Sequence, residues 1–311
     1  MKNIIKHRYL YFAISLVVIL PGLAALLAWG LPTGIDFSGG SYLEIKVDGS
    51  LPGTDSVHNL FSEYGLTDTK VQTSGNDILI IRSKAMDEGT LKSILGEIES
   101  RYNVTVELNR FESVGPTIGK EVAQRAAGAV GLAALGILAY ITYAFRGVKN
   151  AYRYGVAAIL AMLHDVVVVL GVEAFLGHFL GWEADALFLT ALLTVIGFSV
   201  HDSIVVFDRI RENERRMRRT PFEEIVNSSI IQTFARSINT QLTVMLTLLS
   251  LVLFGGSTIR HFVLILLIGV FSGTYSSIFN ASPILVVWEN KEWKTWFRKS
   301  GLQTNPRLTD F

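Results

Sequence analysis

The sequence predicts an α-helical membrane protein with six transmembrane helices and an extracytoplasmic α+β domain of ferredoxin-like order between helices one and two. Three observations predict it. Half of the 311 residues are hydrophobic and only 18% are charged, against roughly 25% in ordinary soluble domains. The charged residues are segregated, which leaves long uncharged runs. The lysines and arginines between those runs fall overwhelmingly on one side.

Four runs contain no Asp, Glu, Lys or Arg: 27 residues from Tyr9 to Ile35, 20 between Arg125 and Arg146, 23 between Arg236 and Arg260, and 27 between His261 and Glu289. Two further apolar runs, about 154–176 and 186–207, are interrupted by a few polar groups. Since about 20 mostly apolar residues cross the hydrocarbon core, each run is one span. Lys2, Lys6 and Arg8 precede the first run like the basic region of a signal peptide. The 27 uncharged residues that follow far exceed the roughly 7 to 15 of a cleaved segment, so a retained anchor is expected.

Orientation follows from the short loops. Lys2, Lys6 and Arg8, then Arg146, Lys149 and Arg153, then six arginines between Arg209 and Arg219, then five cations after Trp288 make 17 on one face, against Arg260 alone on the other. The positive-inside rule places both termini in the cytoplasm. The division is then residues 1–35 for the N-terminus and span one, 36–121 for the outer domain, 122–288 for spans two to six with a cytoplasmic loop at 208–235, and 289–311 for a cytoplasmic tail.

Within 36–121 the periodicity changes type in a definite order. Leu43, Ile45 and Val47 alternate as in a strand, and Val57, Leu60, Phe61 and Tyr64 recur at helical spacing. Strands follow near Lys70–Thr73 and Ile78–Arg82, then a helix through Leu91, Ile94, Leu95 and Ile98, and a last strand through Val104, Val106 and Leu108. The order βαββαβ is that of a ferredoxin-like split unit. In the 208–235 loop, Thr220-Pro221-Phe222-Glu223 offers a capping hydroxyl, a proline at the first helical position and a glutamate able to reach back, predicting a short amphipathic helix at the membrane surface. Its arginines either meet anionic lipid or an acidic partner, or serve orientation alone.

Several function classes are excluded or unsupported. A net charge of +1 lacks the basic excess of a nucleic-acid binder, and without cysteine there is no disulfide or thiolate chemistry. Gly115-Pro116-Thr117-Ile118-Gly119-Lys120 is one residue too short between its glycines for a phosphate-binding loop, and Glu121 stands where a magnesium-binding hydroxyl belongs. No His-Glu-x-x-His occurs, and no nucleophile or base constellation points to an enzyme. His7, His58 and His178 are isolated. Gly269 with Gly273, and Ala127 with Gly131, are small-residue pairs that let membrane helices approach, and Pro283 is expected to kink or end span six.

The sharpest chemical signal is charge within spans. Asp165, beside His164, falls in span three; Asp202, beside His201, falls in span four; Arg236 stands at or just inside the start of span five. An aspartate or arginine at a helix centre costs about 2.5 to 3.5 kcal/mol on insertion scales. Two readings are open: mutual pairing that locks the bundle, as Asp202 with Arg236, or a protonatable relay whose affinity for protons is set by burial and a neighbouring arginine.

The run Gly197-Phe198-Ser199-Val200-His201-Asp202-Ser203-Ile204-Val205-Val206-Phe207-Asp208-Arg209-Ile210-Arg211-Glu212-Asn213 resembles the signature of the SecD/SecF family of bacterial protein-export membrane proteins, within the resistance-nodulation-division superfamily. Ile35-Asp36-Phe37-Ser38-Gly39-Gly40 and Val114-Gly115-Pro116-Thr117-Ile118-Gly119 resemble two further family landmarks, in the expected order. The resemblance implies a half-transporter of the SecF kind in the bacterial inner membrane. It would pair with SecD, assist export of unfolded polypeptide through SecYEG, and use protons as the coupling ion with no cofactor. YajC and YidC are further implied candidate partners, besides membrane lipid. It places the relay acid on Asp202 and its basic partner on Arg236, with His201 standing where many relatives have asparagine. Asp208, Arg209, Arg211, Glu212 and Asn213 belong to the signature. Asp36, Gly39, Gly40, Gly115 and Pro116 flank the outer domain, either as a hinge or as plain turn chemistry. The alternative is a small-molecule or lipid transporter subunit of the same superfamily.

Overall fold

The computed structural model describes residues 3–75, 77–148 and 150–293. Lys2, Lys149 and the tail cations Lys294, Arg298, Lys299 and Arg307 therefore lie outside the described residues. Among the described residues six helices are long and apolar enough to cross a membrane: Ile5–Trp29, Pro116–Ala144, Tyr152–Leu180, Ala186–Arg216, Phe222–Phe254 and Ile259–Glu289, here spans one to six. Spans three, four and six are half or more buried by the rest of the chain, whereas one, two and five bury about a tenth or less of their apolar stretch. Three spans thus form an inner layer and three a periphery.

The chain divides into two compact units: one of residues 1–28, 133–175 and 191–311, and one of 29–132 and 176–190. The second contains all of 36–121, together with the start of span two and the turn between spans three and four. Its strands are β1 (Gly40–Asp48), β2 (Lys70–Ser74), β3 (Ile78–Ser83) and β4 (Thr105–Val114), with α1 (Thr54–Glu63) between β1 and β2 and α2 (Glu88–Tyr102) between β3 and β4. The sheet order is β2-β3-β1-β4, with every neighbouring pair antiparallel. Each helix therefore carries the chain across one intervening strand, in the predicted succession. Leu43, Ile45, Val47, Leu79 and Ile81 on one sheet face pack on Val57, Leu60, Phe61, Leu91, Ile94 and Ile98 of the helices. Asp87 caps α2 by accepting the Thr90 N–H at 2.7 Å, and Asn103 ends it at φ 52°.

Three local expectations change. The helix after Pro221 is not a separate surface element: it runs unbroken through span five, from Phe222 to Phe254. Its cap differs too, because Pro221 occupies the cap position without a side-chain bond and Glu223 turns to Arg8 at 3.3 Å instead of back to the backbone. A charged partner outcompetes the local amide. In span six the bend precedes Pro283: an α-helix to Ser276 passes into a π-turn, Ser277–Ala281, and resumes over Ser282–Glu289 with the proline in its first turn, where no amide is needed.

Gly269 and Gly273 lie against span four, where an added Cβ would come 2.1 Å from Val195 and 3.1 Å from Ser199. Ala127 and Gly131 are exposed and make no such approach within the chain.

Candidate functional site: carboxylates inside the bundle

Small residues on span six let it pack closely on span four, and the polar side chains left inside find one another. Asp165 is wholly buried. Its Oδ2 accepts hydrogen bonds from the hydroxyls of Ser199 and Ser276, each at 2.6 Å, and its Oδ1 accepts from Ser272 at 2.6 Å. His164 Nδ1 lies 2.9 Å from the same Oδ1. Four partners from three spans saturate the carboxylate, which is the condition for holding a charge away from water. The polar cluster continues along span six: Ser277 donates to the Ser199 carbonyl at 2.9 Å and receives the Ser203 hydroxyl at 3.0 Å. Asn280 bonds Ser15 of span one at 2.8 Å. The π-turn aids this by turning the consecutive serines 276 and 277 both inward, where neither is exposed.

Asp202 presents the opposite situation. It is 4% exposed, and its Oδ2 is buried without a hydrogen-bond partner. Ser237 of span five is its polar neighbour. Ser237 Oγ and Gln241 Oε1, one helical turn apart, are likewise buried and unpartnered. No ion pair joins Asp202 to Arg236 among the described residues; Arg236 is exposed, 14 residues into the helix rather than near its start. The reason is geometric. Ser237 faces Asp202, so its predecessor is turned away by about 100° around the helix. His201 is exposed as well.

A third buried acid lies within the spans and is not among the charges named from the sequence alone. Glu173, in the last third of span three, is fully buried, and its Oε2 lies 2.8 Å from Nε2 of His261, in the first turn of span six. The signal was present in the sequence, as a glutamate within an apolar run next to no other charge.

The signature residues assemble at the span-four C-terminus. Asp208 pairs with Arg211, and Arg209 with Glu212. Arg209 Nε also donates to Gln232 of span five at 2.6 Å; Asn213, nearly buried, donates to Ser229 and Gln232, each at 2.9 Å. Arg211 donates to the carbonyl of Ala144 at 3.3 Å, the last residue of span two. The motif thus ties three spans together at one end. At that end Arg8 also holds Glu292 at 2.7 Å. Although partial burial pushes the Glu292 carboxyl up, hydrogen bonds from Arg8, Tyr9 and Asn290 outweigh it and hold it below its ordinary value.

In the other unit, Asp36 accepts the Ala186 amide at 2.8 Å, at the start of span four. Gly39 has φ +74°, and a Cβ there would lie 2.5 Å from Pro116, where span two begins. Gly40, at φ +134°, would meet the Ser83 carbonyl at 2.8 Å. Gly115 has no such neighbour. Arg82 of β3 pairs with Glu183 at 3.0 Å. Burial raises the Glu183 carboxyl, and the nearby Arg82 and Lys70 only partly offset the rise.

Residues 94–291 match the family described as protein export membrane protein SecD/SecF, C-terminal. A protein translocase subunit SecF from Anaerolinea thermophila is 55% identical over 301 residues, 96% of this chain and 98% of that one. The SecDF translocase subunit of Bacillus subtilis is 34% identical over 93% of this chain but only 38% of its own. A crystal structure of SecDF from Thermus thermophilus, described as a translocon-associated membrane protein, is similar with a TM-score of 0.80 and 32% identity, covering 93% of this chain and 39% of that one. The chain therefore spans about two fifths of the SecDF chains it matches.

Proposed function

Because this chain belongs to the SecD/SecF family of protein-export membrane proteins, we propose that it is the SecF-type subunit of a bacterial Sec translocase, drawing on proton motive force to assist polypeptide export. The observation that carries this is the near full-length similarity to translocase subunits. SecD is the partner that the fused SecDF relatives support. SecYEG is the channel it would serve, with YajC and YidC as further candidate partners. It is a multi-pass membrane protein; in this reading it lies in the inner membrane with both termini cytoplasmic. The α/β segment then lies outside as a ferredoxin-like domain, a label supported by its split βαβ crossovers. A small-molecule or lipid transporter subunit is not favoured, since the relatives matching the whole chain are named as translocase subunits.

In this reading Asp202 is the proton-binding group, because an orphaned buried carboxylate oxygen is stable neutral and costly charged. When ionised it attracts the cation one position from Ser237, and a rotation of span five by about 100° would bring Arg236 opposite it. Protonation releases that arrangement, so proton occupancy biases two packings of the same helices. One charge moved across 100 mV is worth about 2.3 kcal/mol. Losing one coupled proton per cycle therefore costs up to about 40-fold in a rate limited by that step.

The test is Asp202→Asn in the full chain with SecD, reconstituted with the channel and a secretory substrate. The expected result is loss of the proton-motive-force-dependent part of export with the remaining export retained. Unaltered dependence on the proton gradient would refute the assignment.

A further inference from the structure

Glu173 belongs neither to the Asp165 nest nor to the Asp202 pocket, and its environment is unusual. The side chain is fully buried and one oxygen, Oε1, has no hydrogen-bond partner. The other, Oε2, lies 2.8 Å from Nε2 of His261. The His261 side chain is 20% exposed, in the first turn of span six beside the exposed Arg260. The imidazole therefore links the surface at that end of the bundle to a carboxylate inside it.

We infer that Glu173 and His261 form a second proton-binding site, distinct from Asp202, that takes up protons at the bundle end opposite the arginine-rich loop. The inference rests on the translocase reading for the direction of proton flow, since that reading makes this the outer end. The charged groups facing the pair are few. Arg260 is adjacent on span six; on span three, His178 lies five residues nearer the helix end and Asp165 eight residues, about 12 Å of helix rise, further in. The parts of spans one, four and five at this end, 21–28, 191–200 and 247–254, contain no ionisable residue.

The chemistry balances without another reactant. A proton from water makes His261 an imidazolium. Its Nε2–H then passes to the Glu173 carboxylate, leaving a neutral imidazole and a carboxylic acid whose Oε2–H donates back to Nε2. The single negative charge of an unprotonated pair would be left on a buried carboxylate with one orphaned oxygen, whereas the singly protonated pair is neutral overall. Uptake of one proton therefore removes the charge of the buried Glu173 carboxylate.

The experiment is a pH titration by difference infrared spectroscopy on the full chain reconstituted with SecD, read at the carboxylic acid C=O stretch. The expected result is a titrating band that disappears in Glu173→Gln and whose midpoint moves at least tenfold in proton concentration in His261→Asn. A Glu173→Gln spectrum that titrates like the parent overturns the inference, as does an unmoved midpoint in His261→Asn. If Glu173→Gln does not accumulate, Glu173→Leu/His261→Leu fills the same space without polar atoms, and a titrating band that persists in its difference spectrum overturns the inference. Export assayed against the pH of the outer compartment should lose its dependence in Glu173→Gln. Failure of the translocase reading would show separately, as export unaffected by omitting this chain with the Glu173 band still present.

Discussion

Asp165 and Asp202 are buried aspartates on adjacent inner spans, each preceded by a histidine. Their surroundings differ. Asp165 has three serine hydroxyls and an imidazole nitrogen as partners; Asp202 has an oxygen with none. A carboxylate with all its acceptor sites filled is held in one protonation state and one place. One with an empty site changes state when its neighbours move. The contrast teaches that burial alone does not make a charged group a switch; unfilled hydrogen-bonding capacity does.

The strongest way to break the comparison is to remove Asp165. Asp165→Ala strands its donors in an apolar interior, where each unmade bond costs about 1 to 3 kcal/mol. The expected loss is about 3 to 5 kcal/mol in total, read as a lowered denaturation midpoint in detergent by circular dichroism. A loss below about 1 kcal/mol would show that the nest does not hold the bundle together. Removing one donor with Ser199→Ala should cost about 1.5 to 3 kcal/mol, the range for bonds to a charged group, by the same assay. Asp202→Asn should change stability by less than about 1 kcal/mol, because its buried oxygen surrenders no bond. A larger drop would mean that Asp202 is structural as well.

The smallest effects come from two carboxylates outside the spans, which titrate in opposite senses and must be separated from those inside. Glu292 is held below its ordinary value by Arg8, so its contribution is present above that value and is lost as pH falls through the depressed one. Arg8→Gln should flatten that acid limb. Glu183 is raised by burial, so its contribution is fully present below its ordinary value and is lost as pH rises through the raised one. Glu183→Gln should remove this slope, read from melting against pH.

Much of this architecture was legible in the sequence. Apolar runs located all six spans, and the periods of the 36–121 segment located β1 to β4 and both sheet helices in order. The limits of elements were less visible. Span five absorbs the segment after Pro221 because apolar periodicity cannot show whether a helix stops at a membrane surface. Aspartates in spans were conspicuous, but their difference lay in serines, which are too common in membrane helices to single out. Glu173 meets the same criterion as Asp165, but its partner, His261, lies 88 residues away in the chain. Only folding brings such a pair together.

The π-turn at Ser277–Ala281 has a further consequence, in terms of helix register. It amounts to one residue added to an otherwise α-helical span, so everything beyond it is turned by about 100° from where a continuous helix would place it. Ser272 and Ser276 are set by the part before the turn, and the buried Leu285 and Val286 by the part after it. The two halves of span six can thus be fitted to different neighbours. Deleting one residue within the turn would keep the first half in place and rotate the second out of its packing.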